Sequence, residues 1–132
     1  MDGILLRWDH PDRGCAVVVE DDGRVGYAYW LDADGRVSGD VWLYNRGATP
    51  TRPEWADRSR APFANPLPYA REEPIFPLPT AASDVTVQWR EDGTRAEIII
   101  HGVTAGVLEA GAKPGWAAMA AKDGPLARTL PS

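Results

Sequence analysis

The stretch VGYAYWLDADGRVSGDVWLYN (Val25 to Asn45) decides the fold. Two runs rich in aromatic and β-branched residues, VGYAYWL (Val25 to Leu31) and VSGDVWLYN (Val37 to Asn45), flank Asp32-Ala33-Asp34-Gly35-Arg36. Such side chains fit a pleated surface. Asp-Gly between apolar runs signals a hairpin, because both residues tolerate positive φ. Working outward, Asp21-Asp22-Gly23-Arg24 is a second turn of the same kind, preceded by the strand-like CAVVVE (Cys15 to Glu20). Before that come the turn formers His10-Pro11-Asp12-Arg13-Gly14 and the short apolar run ILLRW (Ile4 to Trp8). Asp-Gly-Arg recurs at Asp22 and Asp34, a spacing of one strand plus one turn. Residues 1–45 therefore read as an antiparallel β-meander.

Side chains alternate between the faces of a strand. That places Tyr27, Tyr29 and Leu31 on one face and Ala28 and Trp30 on the other. In the next strand Val41 and Leu43 oppose Trp42 and Tyr44. Both faces are apolar near the middle, so one packs on a core and the other needs a cover or a partner.

Residues 46–80 break this pattern. Eight of the chain's 12 prolines lie from Pro50 to Pro79, and proline cannot sit in a central strand. The segment also carries Trp55, Phe63, Leu67, Tyr69, Ile75, Phe76 and Leu78, unlike a disordered linker. It reads as an ordered, extended crossover laying its aromatics on the second sheet face. Strands resume at DVTVQWR (Asp84 to Arg90) and, after Glu91-Asp92-Gly93-Thr94, at RAEIIIH (Arg95 to His101). VTAGVLE (Val103 to Glu109) adds a short strand. The Ala-rich GWAAMAAKDG (Gly115 to Gly124), after Pro114 and with Lys122 near its end, predicts a two-turn helix.

The totals fit one domain of 132 residues, mainly β: a meander plus a second hairpin, as a β-sandwich or curled sheet, with a long proline-rich crossover and a short C-terminal helix. Net charge is −5, which argues against non-specific nucleic-acid binding. Residues 1–45 hold nine acids and four bases, so the acidity belongs to the N-terminal third. Cys15 is the only cysteine, which excludes an intrachain disulfide and a CxxC metal site; a buried structural thiol fits its neighbours. No signal peptide and no membrane-spanning run are evident, so the expected compartment is the cytoplasm.

No catalytic or metal constellation emerges, and no cofactor is expected. The DADG turn has Arg36 and Leu43 where a calcium loop needs its fifth and twelfth ligands. His10 and His101 lack metal-ligand spacing, Ser38 and Ser59 lie outside GxSxG, and there is neither a P-loop nor a GxGxxG. The six Trp and four Tyr are more informative, since both residue types anchor interfaces. Core packing accounts for Trp8, Trp30 and Trp89. The candidate partner-binding set is Asp32, Asp34, Asp40, Trp42, Tyr44, Arg46, Trp55 and Tyr69, with acids steering a basic partner and aromatics docking it. Two other readings stay open: a sugar or peptide site in an aromatic groove, and a small enzyme built from dispersed acids and His101.

GYAYWLDADGRVSGDVWLYN (Gly26 to Asn45), TPTRPEW (Thr49 to Trp55), NPLPY (Asn65 to Tyr69) and GAKPGWAAMAAKDGPLA (Gly111 to Ala127), taken together, resemble small bacterial immunity proteins encoded beside polymorphic or contact-delivered toxins. The resemblance lies in layout and covers most of the chain. It implies a cytoplasmic, non-catalytic domain that binds and occludes a cognate toxin, with a basic toxin domain as partner. It carries over no functional residue.

Overall fold

The computed structural model describes residues 4–45, 75–90, 93–124 and 126–130. Four antiparallel strands form the first sheet in sequence order: β1 (Ile4–Asp9), β2 (Ala16–Asp21), β3 (Val25–Leu31) and β4 (Val37–Asn45). The second sheet, also in chain order, contains β5 (Val85–Arg90), β6 (Arg95–Ile100), β7 (Val103–Glu109), β8 (Trp116–Ala117) and β9 (Arg128–Thr129). Its pairings are antiparallel except β8 with β9, which is parallel.

The turns form as their residues dictate. Gly35 adopts φ 83° and donates its N–H to the Asp32 carbonyl at 2.9 Å, closing the DADG turn. The Asp22 carboxylate accepts from the N–H groups of Arg24 and Val25, and Gly23 takes φ 91°. The β6–β7 hairpin turns on His101 and Gly102, both at positive φ, as a two-residue primed turn requires.

The two sheets pack face to face. Val17 and Val19 from β2, Ala28 and Trp30 from β3, and Val41, Leu43 and Tyr44 from β4 meet Val85, Ala96, Ile98, Ile100, Ala105 and Leu108. Full burial of a branched aliphatic side chain contributes roughly 1.5–3 kcal/mol, so this interior dominates the stability. At one end Trp89 bridges the layers, its ring edge-on to Trp30 at 5.7 Å and to His10 at 5.0 Å.

Irregularity in β4 shapes the interior. Tyr44 pairs with Gly26 and Trp42 with Tyr27, so Leu43 is an extra residue in the ladder. Such a bulge interrupts strict alternation. Leu43 and Tyr44 both turn inward. Leu43 lies against Gly106 of β7, and Tyr44 lies flat on Gly26, where any Cβ would meet its ring. This position lets the Tyr44 hydroxyl donate to Asp21 Oδ2 at 2.6 Å, while Asp21 Oδ1 accepts from Gly23 N–H. Asp21 is otherwise a costly group to bury, because interior carboxylates need hydrogen-bonding partners.

The expected C-terminal helix does not form. Trp116 and Ala117 pair with Val107 and Gly106, and Ala118 N–H donates to the Ala105 carbonyl at 2.9 Å. Ala117 to Ala120 are all buried. Alanine's helix propensity is weak against tertiary pairing, and β7 takes up the start of this segment as a ladder partner within the second sheet. The loop between β7 and β8, which contains a cis Lys113–Pro114 bond, continues along the free side of β4. Asp40 N–H donates to Ala112 O, Gly115 N–H to Asp40 O, Gly111 N–H to Ser38 O and Trp42 N–H to Leu126 O. Of the proline-rich crossover, only its end lies among the described residues. There Phe76 enters the interior edge-on to Tyr44 at 6.4 Å, filling the core instead of covering an outer sheet face.

Candidate functional site

The outward face of the first sheet is the strongest candidate surface. The strand register sets out its rows. Leu5, Glu20, Tyr27 and Trp42 lie side by side, followed by Arg7, Val18, Tyr29 and Asp40, then Asp9, Ala16, Leu31 and Val37, with Trp42 and Ala16 buried and the other residues at least partly open. The Tyr27 and Tyr29 rings stack with centroids 6.0 Å apart and planes 14° apart. Val18, Glu20, Tyr29, Leu31 and Val37 line a shallow hollow of about 330 Å³. Leu5 is 70% exposed and Val37 44%, so the face carries open apolar area as well as charge.

Its electrostatics are acidic. Arg7, the one cation in those rows, is held by Asp9 at 3.0 Å. Among the described residues neither Glu20 nor Asp40 has an ion-pair partner. The tyrosine hydroxyls register this field. Burial pushes the Tyr27 pKa up to about 12, with Tyr29 and Asp40 adding to the shift. Tyr29 is raised too, by burial first and then by Glu20, Asp40 and Asp22.

A titration prediction follows. Folded Tyr27 holds its proton more tightly than the unfolded chain does. Its contribution to stability is complete below the unfolded value of ~10 and is lost as pH rises from there toward 12. Tyrosinate absorbance should show ionisation continuing well above the ordinary phenol range, and Tyr27→Phe should lower the amplitude of that late phase by one group. A single transition at the ordinary phenol value, with the fold intact, would refute it.

The sequence-derived candidates divide by location. Asp40 lies on this face, paired across the ladder with Tyr29. Asp32 and Asp34 are exposed but serve the β3–β4 turn: Asp32 Oδ1 accepts from Ser38 Oγ at 2.9 Å, while Asp34 accepts Arg36 N–H and pairs with its guanidinium. Trp42 and Tyr44 cannot dock a partner in this fold, since they are 2% and 1% exposed. Trp42 is further held by its indole N–H to Asn45 Oδ1, and Tyr44 belongs to the interior through the β4 bulge. Arg46, Trp55 and Tyr69 lie outside the described residues. Sequence reasoning missed Glu20 and Val18 as site residues, although it placed Tyr27, Tyr29 and Leu31 on one face. The missing signal was the register that sets Glu20 beside Tyr27.

Other polar side chains find partners within the fold. Asp84 accepts from the N–H groups of Thr80 and Ala81 and from the Thr80 hydroxyl, and these bonds hold its carboxyl below the usual range. His101 Nε2 stands 3.6 Å from Asp84 Oδ2 and 3.3 Å from the Leu78 carbonyl oxygen. The Cys15 thiol is buried, which raises its pKa. Among the described residues no group of three or more His, Cys, Asp or Glu could hold a metal ion, and no helix is long and apolar enough to cross a membrane. No family model, curated protein or solved structure matches the chain.

Proposed function

We propose that this chain is a non-catalytic protein-binding module of the bacterial immunity type, acting in the cytoplasm by occluding a basic toxin domain. One observation carries the reading: an open sheet face where stacked tyrosines and exposed aliphatic residues adjoin two carboxylates without ion-pair partners among the described residues. Aromatic anchors with depleted local counter-charge are what a docking surface offers. The acids steer a basic partner and speed its encounter. The apolar area then holds the complex, because its burial is favourable at about 25 cal/mol per Å².

The test is affinity capture from the native cytoplasm with the tagged wild type beside a Leu31→Arg variant. The wild type should retain a basic protein stoichiometrically at moderate salt. Leu31→Arg, half-buried on the docking face, should lose it with an unchanged circular dichroism spectrum. Equal retention by both proteins would eliminate this face as the docking surface.

A further inference from the structure

Resting on the docking reading above, we propose that the hollow on the first sheet is a subsite for one arginine side chain of the partner. Its walls divide by chemistry. Val18, Leu31 and Val37 are aliphatic, Tyr29 brings an aromatic ring and Glu20 a carboxylate. An arginine has the matching division: an aliphatic stem that lies along apolar surface and a charged head kept near water.

The head has two kinds of partner within this one site. A guanidinium lies flat on an aromatic ring, attracted by the π-face, and its fork of N–H groups fits a carboxylate. Tyr29 provides the ring. Glu20 provides the carboxylate, and Asp40, Tyr29's ladder neighbour, adds a second charge on the far side. The chain's own cation on this face does not compete, because Asp9 engages Arg7 within the same strand. Among the described residues Glu20 and Asp40 thus keep their charges without an ion-pair partner beside Tyr29. Lysine would meet the charge but not the ring and carboxylate together, since its ammonium lacks a planar fork.

The probe is a capped peptide with alternating arginine and serine, titrated into the full chain and followed by methyl and aromatic NMR. A control peptide replaces each arginine by citrulline, which keeps the shape and removes the charge. The arginine peptide should shift the Val18, Leu31 and Val37 methyls and the Tyr29 ring in one saturable curve, and the citrulline peptide should not. Glu20→Gln, an exposed change, should weaken binding about ten-fold, equivalent to ~1.4 kcal/mol, with an unaltered melting curve.

Shifts spread evenly over turn acids such as Asp12 and Asp34, or equal binding of citrulline, would overturn the subsite. If a captured basic partner perturbs these methyls yet binds Glu20→Gln unchanged, the arginine assignment fails while the docking face stands. If neither peptide nor partner perturbs them, both fail.

Discussion

Trp30→Ala is expected to destabilise the protein by about 3–5 kcal/mol, the usual cost of removing a large aromatic side chain from a core. Trp30 is buried and meets Trp89 edge-on, and Trp89 in turn meets His10. Its removal takes away transfer energy, leaves a void between the layers and strips one wall from the Trp89 contact. For a chain of this size the melting temperature should fall by roughly 10–15 °C. Trp30→Phe should recover a good part of that loss, because it keeps a ring at the same place. Chemical denaturation of the three proteins decides the matter. A loss below ~1 kcal/mol for the alanine variant would mean that the layers do not close on Trp30.

The second large effect concerns Gly26. A Cβ there would meet the Tyr44 ring, so Gly26→Ala must push that ring away. Overpacking a core costs about 1–3 kcal/mol. Displacing the hydroxyl from Asp21 adds the cost of a weakened interior hydrogen bond, about another 1–3 kcal/mol. The two residues are in contact, so their substitutions should not add. Tyr44→Leu is destabilising alone, but introducing Gly26→Ala into that background should cost much less than in the wild type. Strict additivity of the two losses would show that the glycine is not there to admit the ring.

The first sheet was legible because its signals are local. The Asp-Gly turns and the β-branched and aromatic runs between them locate β1 to β4 almost residue by residue. The hairpin of β5 and β6 was read from the same kind of evidence. Misreadings arose where tertiary contacts decide. Strict alternation made Leu43 and Tyr44 opposite in facing, and only the ladder with β3 reveals the bulge that turns both inward. Alanine-rich sequence from Ala117 to Ala121 favours a helix in isolation, yet β7 captures its start as a strand. The candidate surface was half visible. Tyr27, Tyr29 and Leu31 follow from alternation, whereas the place of Glu20 beside them depends on how β2 slides along β3.

The backbone bonds from β4 to the 110–115 loop and to Leu126 have a consequence for how the chain reaches this state. Synthesis delivers β4 long before the segment that seals its outer side. Until Gly111, Ala112, Gly115 and Leu126 arrive, a nascent first sheet presents the unpaired backbone edge from Ser38 to Trp42, an open strand edge of the kind that invites pairing with other chains. Long-range partners of this sort slow folding and prolong such exposure. The C-terminal quarter of the sequence thus serves as a molecular selvedge, finishing an edge that would otherwise fray into aggregates.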